Sequence, residues 1–141
     1  MSKPAFLEIL IEITEAPFRM DTELGEVCMI PFKGKAQGPL FTGICEPWGV
    51  DTQTVDTAGV RHLSARYVLT GTDHTGEKCH IFIENNGSWE DAHPSRVFRT
   101  VPAFRTDSKV LASFLHSGRF YGTGTPEPEG LWIRFYEIGI E

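Results

Sequence analysis

The chain has 141 residues, of which 40% are hydrophobic, and its 19 acidic and 13 basic residues give a formal net charge of −6. Nucleic acids and anionic membranes bind basic surfaces, so this charge balance argues against both as partners. The length fits a single domain over residues 1–141, large enough to bury a hydrophobic core without disulfides or a structural metal.

The sequence predicts a cytoplasmic protein. The first 18 residues are apolar but carry Glu8, Glu12 and Glu15, and regularly spaced carboxylates do not fit the apolar region of a signal peptide. No apolar stretch is long enough to cross a bilayer. The three cysteines are odd in number and far apart, which is typical of reduced thiols inside a cell.

Strand periodicity marks both ends of the chain. In residues 6–14 apolar side chains recur at every second position, as in a strand of a sheet. In residues 131–140 both strand faces are partly apolar, as in a strand that is covered on both sides or faces a lined cavity. Further apolar or alternating runs, separated by turn signals, cover residues 24–32, 40–45, 60–70, 78–85, 97–104 and 119–122. Many short strands with frequent turn signals are typical of an antiparallel barrel or sandwich.

One segment has helical periodicity instead. The apolar residues at 110, 111, 114 and 115 fall on one helix face, Thr106 or Asp107 can cap the start, and Gly118 can end the helix. The sequence therefore predicts one short helix near residues 107–117, which either plugs a barrel end or packs outside the wall.

Arg66 is the first candidate for ligand binding. In a strand it shares a face with Ser64 and Val68, whereas Ala65 and Tyr67 point to the other side. An arginine that projects into a cavity can hold a carbonyl or an anion through two parallel hydrogen bonds. The alternative is a solvent-facing arginine on the outer wall, which is the commoner situation for this residue type.

A carboxylate inside an apolar barrel is the candidate for proton transfer. Glu84 and Asn85 point to opposite faces of one strand, as do Arg99 and Thr100, so one residue of each pair faces inward. Burial would raise the pKa of an inward Glu84 and suit it to acid or base catalysis. The alternative is an ion pair of Glu84 with Arg99 or Arg134 that holds the wall together.

No motif for a metal, nucleotide or covalent nucleophile stands out. His80 and Glu84 share a strand face but are separated by roughly 13 Å, too far to ligate one ion. Gly122 and Gly124 are not followed by a helix, and no serine lies in a nucleophile elbow. We therefore expect neither a metal nor a cofactor. Trp132 can either line a ligand pocket or fill a core.

The sequence resembles a bacterial and fungal family known as domain of unknown function 3237, from about residue 25 to the end. The resemblance implies a small antiparallel β-barrel of broadly lipocalin-like shape. It is carried by these pieces in order: Gly38-Pro39-Leu40, Asp51 with Gln53, Ala65-Arg66-Tyr67, Asn85 with Gly87, Phe98-Arg99-Thr100-Val101-Pro102 with Phe104, Gly122-Thr123-Gly124 and Ile133-Arg134-Phe135-Tyr136-Glu137.

The first functional hypothesis is a small-molecule-binding barrel that works as a cofactor-free isomerase, cyclase or lyase. Its ligand would be a small hydrophobic metabolite with carbonyl or hydroxyl groups. Arg66 would hold an oxyanion, and Asp51 or Glu84 would move a proton. Because the resemblance concentrates polar positions there, we expect Asp51, Arg66 and either Asn85 or Glu84 to approach one cavity. The full set of candidate ligand-binding residues is Arg66, Tyr67, Asn85, Arg99 and Trp132.

Two alternatives remain at this point. One is a carrier or sensor of a similar ligand, in which the polar residues only orient it. The other is a structural or partner-binding barrel whose polar residues form ion pairs in the wall. A barrel with an apolar outer wall often pairs with a copy of itself, so a homodimer is the candidate protein assembly.

Overall fold

The computed structural model describes residues 3–92 and 97–139, which form a closed antiparallel β-barrel. Its strands are β1 (Leu7–Ile13), β2 (Phe18–Thr22), β3 (Gly25–Gln37), β4 (Phe41–Cys45), β5 (Gly49–Val55), β6 (Val60–Asp73), β7 (Lys78–Glu90), β8 (Phe98–Thr106), β9 (Phe120–Glu127) and β10 (Gly130–Glu137), and its helix is α1 (Ala112–Ser117). The predicted all-β, antiparallel barrel with one short helix is confirmed, and the barrel replaces the sandwich alternative.

Strand β1 closes the barrel because both of its edges are paired. Residues Leu7–Ile11 pair antiparallel with β10, and residues Glu8–Ile13 pair antiparallel with β3. Strands β4 and β5 share one place in the wall, since β4 pairs with the end of β3 and β5 with its beginning. Strand β2 follows β1 along the same edge of β3. The closed wall therefore has eight strand positions.

The alternation of side chains decides which residues reach the interior. On β6 the buried side chains are Leu63, Ala65, Tyr67 and Leu69. Inward residues of neighbouring strands meet in register, so Leu69 faces the interior beside Ile81 of β7. The same rule on the other strands gives one continuous core: Leu7, Ile9, Phe32, Ala36, Phe41, Cys45, Cys79, Ile83, Phe104, Phe120, Ile133 and Phe135.

Aromatic rings and helix α1 fill one end of the barrel. The ring of Phe6 lies 5.1–5.9 Å, between centroids, from the rings of Phe104, Phe114 and Phe120. Leu115, on the helix, is buried against this cluster. Aromatic pairs in such tilted or edge-to-face arrangements each add about 0.5–1.5 kcal/mol beyond their burial. Side chains therefore fill this end of the barrel, and a ligand-binding cavity has room only at the opposite end.

Helix α1 begins at Ala112, later than the sequence predicted. Neither expected cap is correct, because Leu111 occupies the capping position and makes no side-chain capping bond. Asp107 Oδ1 instead accepts a 2.7 Å hydrogen bond from the backbone N–H of His80, and the Thr106 hydroxyl donates to the His80 carbonyl at 2.7 Å. These bonds hold the end of β8 against β7.

Across residues 3–92 and 97–139, no helix has the length and apolar character needed to cross a membrane.

Candidate ligand-binding cavity

A cavity of about 560 Å³ occupies the barrel at the end opposite α1. This volume lies within the range of about 300–1,000 Å³ typical of small-molecule sites. The lining is mostly apolar, with polar groups concentrated on β5, β6 and β7. The lining residues are Ile11, Glu12, Ile13, Ile30, Phe32, Asp51, Gln53, Leu63, Ala65, Tyr67, Asn85, Trp89, Phe98, Pro126, Glu129, Gly130, Leu131 and Ile133.

Small residues on the inner face shape this cavity. Ala65 lies between the larger Leu63 and Tyr67 on β6, and its short side chain leaves room beside them. Gly124 of β9 pairs with Phe98 of β8, whose ring lies over the glycine so closely that a Cβ would overlap it. The same ring is 5.3 Å from that of Trp89. The two aromatic side chains thus form one wall of the cavity.

The strand register brings Asp51 and Asn85 to the two sides of Ala65. Asp51 of β5 pairs with Ala65, and Ala65 pairs with Asn85 of β7. Adjacent strands are about 4.8 Å apart, so the two polar residues are separated by two such spacings with a methyl group between them. Tyr67 follows two residues after Ala65 on the same face. The three polar residues therefore lie close together on one part of the cavity wall.

Three buried oxygen atoms of this group have no hydrogen-bond partner among the described residues: Asp51 Oδ1, the Tyr67 hydroxyl and Asn85 Oδ1. All three residues line the cavity. Buried polar atoms are nearly always paired, since leaving one unpaired costs about 1–3 kcal/mol. A cluster of such atoms in an apolar cavity indicates a place where a bound molecule supplies the missing partners.

A chain of hydrogen bonds holds the other oxygen of Asp51. Gln53 Nε2 donates to Asp51 Oδ2 at 2.8 Å, and Arg61 Nη1 donates to Gln53 Oε1 at 2.9 Å. Arg61 is held in turn by Asp91 at 2.7 Å and Glu26 at 3.1 Å. The chain leaves Asp51 Oδ1 directed away from these partners. Burial raises the pKa of Asp51, opposed in part by the Gln53 hydrogen bond and the charge of Arg61.

Tyr67 remains a neutral hydroxyl in this environment. Burial is the main cause that raises its pKa well above the usual value, and the nearby Cys45 and Asp51 act in the same direction. Its ring also packs edge-on against Phe32, with centroids 5.2 Å apart. Tyr67 can therefore donate a hydrogen bond to a ligand oxygen from a fixed position.

The expectation that Arg66 projects into the cavity is wrong. Because Ala65 and Tyr67 point inward, Arg66 points outward, and its side chain is 66% exposed. Glu84 also lies outside the barrel, where its Oε1 is 3.5 Å from Arg66 Nε. The ion-pair alternative describes Glu84 correctly, but the partner is Arg66 and neither of the two arginines expected. Glu84 therefore has no contact with the cavity from which to act as an acid or base.

Arg99 and Trp132 also lie on the outer face. The Arg99 guanidinium is 4.0 Å from the centroid of the Tyr121 ring, and Thr100 takes the inward position beside it. Trp132 Nε1 donates a 2.6 Å hydrogen bond to Glu129 Oε1. Neither residue lines the cavity, so the structure does not place them with Asp51, Tyr67 and Asn85.

Gln53 and Arg61 are the site residues that sequence reasoning missed. Gln53 follows Asp51 by two positions in a strand, and that spacing alone could have shown that the two side chains share a face. Arg61 had no such signal, because its partners Glu26 and Asp91 are distant in sequence.

In the part of the chain that the structure describes, no three histidine, cysteine or acidic residues lie close enough together to hold a metal ion.

The fold and the cavity define a small antiparallel β-barrel with a polar cluster inside an apolar pocket. The chain belongs to the family described as protein of unknown function (DUF3237), whose model matches residues 3–138. The family resemblance seen in the sequence is therefore confirmed, and it extends to the first strand.

Relatives of known sequence and structure agree with this assignment. A UPF0311 protein of Clostridium acetobutylicum is 32% identical over 133 residues, covering 84% of this chain and 81% of the relative. A protein with unknown function from Clostridium acetobutylicum has a crystal structure similar over 99% of both chains, with a TM-score of 0.77 and 28% identity. The crystal structure of an enzyme from Penicillium herquei is similar over 99% of this chain and 98% of its own, with a TM-score of 0.64 and 19% identity. At that identity the likeness concerns the fold alone.

Proposed function

We propose that the protein binds a small hydrophobic metabolite with hydroxyl or carbonyl groups in the barrel cavity and catalyses its isomerisation, cyclisation or elimination without a cofactor. The observation that carries this proposal is Asp51 Oδ1, a buried carboxyl oxygen in an apolar cavity with no partner among the described residues. Burial raises the pKa of this carboxyl and brings it closer to neutral pH, where a general acid or base works best.

The proposed chemistry is the movement of one proton within the ligand. Asp51 removes a proton from a carbon or oxygen atom, forming its own O–H bond. In an isomerisation or cyclisation it returns the proton to another atom of the same molecule. In an elimination the electron pair of the broken C–H bond forms the new double bond, and the departing group leaves with the electron pair of its own bond and takes the proton from Asp51. No electrons are gained or lost overall in any of these reactions, so each balances without an oxidant or reductant. Gln53 holds the second carboxyl oxygen at 2.8 Å and so fixes the direction of the reacting one.

Tyr67 and Asn85 have the supporting role in this scheme. Each has a polar atom at the same cavity as Asp51 that lacks a partner within residues 3–92 and 97–139. A neutral tyrosine hydroxyl can donate a hydrogen bond to a ligand oxygen on which negative charge develops, and a preorganised donor of this kind stabilises the transition state. The amide of Asn85 would orient the ligand from the other side of Ala65.

A carrier or sensor of the same type of ligand is the second candidate. The cavity suits it equally well, and in that case Asp51 would only orient the ligand. A protein of similar fold from Penicillium herquei is an enzyme, so this fold is compatible with the catalytic version, but fold alone does not decide between the two. A purely structural barrel is the weakest candidate, because it gives no reason for an internal cavity of about 560 Å³ with three polar atoms that have no partner in the described part of the chain.

Binding in the cavity can be tested with a matched pair of alanine variants. Ala65 faces the cavity, whereas Ala103 of β8 is exposed on the outer wall. With 1-naphthalenemethanol as a hydrophobic hydroxyl-bearing probe, isothermal titration should show binding to the wild type and to Ala103→Phe. Ala65→Phe, if folded by circular dichroism, should bind on the order of tenfold more weakly, because the ring takes the ligand's space. Equal binding by Ala65→Phe would place the ligand elsewhere.

Catalysis can be tested by hydrogen exchange from deuterated water. A panel of hydrophobic ketones and phenols would be incubated with the protein, and deuterium uptake or a new product would be read by mass spectrometry. Asp51→Asn should keep binding but lose about 10²-fold or more of the exchange rate. Full exchange by this variant would exclude Asp51 as the proton-transfer group. Tight binding without exchange across the panel would favour the carrier.

A further inference from the structure

The charged residues that line the cavity in the described part of the chain are all acidic. Asp51 lies inside, and Glu12 and Glu129 lie toward the mouth. Asp51 is the deepest of the three and keeps one oxygen without a partner among the described residues. No lysine, arginine or histidine appears among the described lining residues. At the exposed mouth, Glu12 is 3.7 Å from Lys33 and Glu129 accepts a hydrogen bond from Trp132, so the buried Asp51 is the carboxyl group that a ligand meets inside the cavity.

The basic groups near the cavity in the described part of the chain are paired with acidic residues, and one of them, Lys33, is 3.7 Å from Glu12 at the mouth. Arg61 reaches the polar cluster only through Gln53, and it is held by Asp91 and Glu26. Arg134, on the outer face of β10, is held by Glu8 at 2.7 Å and by Glu127 at 3.4 Å. These pairings keep the guanidinium groups out of the cavity, so neither is positioned to neutralise an anion bound there.

We infer that the site selects its ligand by charge: it takes an uncharged molecule that donates hydrogen bonds through hydroxyl or N–H groups, and it rejects carboxylates, sulfonates and phosphates. This inference rests on the proposed function, since it assumes that the cavity is the binding site. An anion would lose its hydration in an apolar cavity without gaining a cation from the described lining residues, and it would be repelled by an ionised Asp51. Rejection by an unpaired like charge is a common source of specificity.

The hydrogen-bonding character of the cluster agrees with this ligand class. An ionised Asp51 can only accept hydrogen bonds, and a protonated one still has an accepting oxygen. Tyr67 can donate to a carbonyl or accept from a hydroxyl. A neutral alcohol, phenol or amide can therefore satisfy both residues, whereas a carboxylate brings only acceptors and leaves the Asp51 oxygen opposed by another oxygen.

A pair of probes with the same ring system tests the inference. Binding of 1-naphthalenemethanol and 1-naphthoate, the first neutral and the second an anion at neutral pH, would be measured by isothermal titration. The wild type should bind the alcohol on the order of tenfold more tightly than the carboxylate, because like-charge contacts in an apolar site are costly. The variant with Glu12→Gln, Asp51→Asn and Glu129→Gln should bring the two affinities to within about twofold.

The control removes the same amount of charge away from the cavity. Glu23, Glu46 and Glu77 are exposed and do not line it, so their change to Gln together should keep the tenfold preference. Asp51→Asn alone should reduce the preference for 1-naphthalenemethanol over 1-naphthoate. This single variant serves as the test if circular dichroism shows that the triple variant is unfolded.

The outcomes separate charge selection from binding itself. Equal affinities for the two probes in the wild type would overturn the inference while leaving the proposed binding function intact. An unchanged preference in a folded cavity variant would also overturn it, because the acidic lining would not be the cause. If neither probe binds the wild type, the cavity is not a binding site for such molecules, and the proposed function fails together with the inference.

Discussion

The hydroxyl of Ser108 donates a 2.8 Å hydrogen bond to Asp73 Oδ2, although the two residues are 35 positions apart in sequence. Asp73 ends β6, and its other oxygen accepts hydrogen bonds from the backbone N–H and the hydroxyl of Thr75 in the following turn. Ser108 precedes α1 and accepts a 3.2 Å bond from the Leu111 backbone N–H. The pair thus connects the turn between β6 and β7 with the start of α1, the helix that fills one end of the barrel.

We predict that Asp73→Asn lowers the Tm by several degrees at neutral pH. The Thr75 hydroxyl, followed by Ser108 and backbone N–H groups, lowers the pKa of Asp73 to about 2. A carboxylate with a lowered pKa contributes stability above its unfolded pKa of about 3.9, and that contribution is lost as the pH falls toward the folded value. Thermal unfolding followed from neutral pH down to about pH 2 should show the two proteins converging in acid.

The neighbouring Glu77→Gln variant is the control for this prediction. Its backbone N–H contacts Asp73, but its side chain is exposed, so its Tm should match that of the wild type. A gap between Asp73→Asn and the wild type that persists unchanged at low pH would mean that the carboxylate charge is not what stabilises the turn.

Asp51→Asn should stabilise the protein, in contrast to the change at Asp73. Burial raises the pKa of Asp51, so its ionised form is disfavoured in the folded state. The pH dependence of stability is therefore opposite to that at Asp73. Below the unfolded pKa, Asp51 is protonated in both states and does not destabilise the wild type. As the pH rises through the folded pKa, ionisation of the buried carboxyl destabilises the folded state. We expect a gain of about 0.5–2 kcal/mol in the free energy of unfolding at neutral pH, vanishing in acid. Chemical denaturation at several pH values would show a loss instead if Asp51 contributes to folding.

Gln53→Leu should raise the pKa of Asp51 further. The variant removes the Nε2 donor that lies 2.8 Å from Asp51 Oδ2 and favours the ionised carboxyl. A carbon-detected NMR titration of the aspartate carboxyl groups would measure this change without any need for a substrate. Thr54→Leu, on the exposed face of the same strand, should leave the titration unchanged. A lower pKa in Gln53→Leu would contradict the proposed role of Gln53.

Arg66→Ala should have almost no effect on ligand binding. The arginine is largely exposed, and its contact with Glu84 is a surface ion pair worth about 0.5 kcal/mol or less. Tyr67→Phe, one position further along the same strand, removes a hydroxyl that lines the cavity and should weaken binding of 1-naphthalenemethanol by about 1 kcal/mol, or roughly fivefold. Isothermal titration of both variants compares the two faces of β6 directly. If Arg66→Ala lost binding and Tyr67→Phe did not, the assignment of Tyr67 to the cavity and Arg66 to the outer wall would be wrong.

The sequence by itself determined the class of fold and the approximate place of most elements. Period-two alternation near Leu7–Ile13 and helical spacing near residues 107–117 are local properties, since each follows from the geometry of a single segment. The family likewise followed from short pieces in a fixed order. The predicted start of α1 was wrong, because the side chains of Thr106 and Asp107 bond to His80 on another strand and do not cap the helix.

Only the tertiary structure decided which face of each strand is the inside. Alternation states that Arg66 and Tyr67 point in opposite directions, but both orientations satisfy the same pattern until the barrel closes. Closure places Ala65 and Tyr67 inside, and with them Asp51 and Asn85 through the strand register. Asp51 is also oriented by a hydrogen-bond chain through Gln53 to Arg61, and Arg61 is bound by Glu26, which is 35 positions away in sequence. Contacts at such separations are created by the closed sheet, and for that reason no local pattern predicts them.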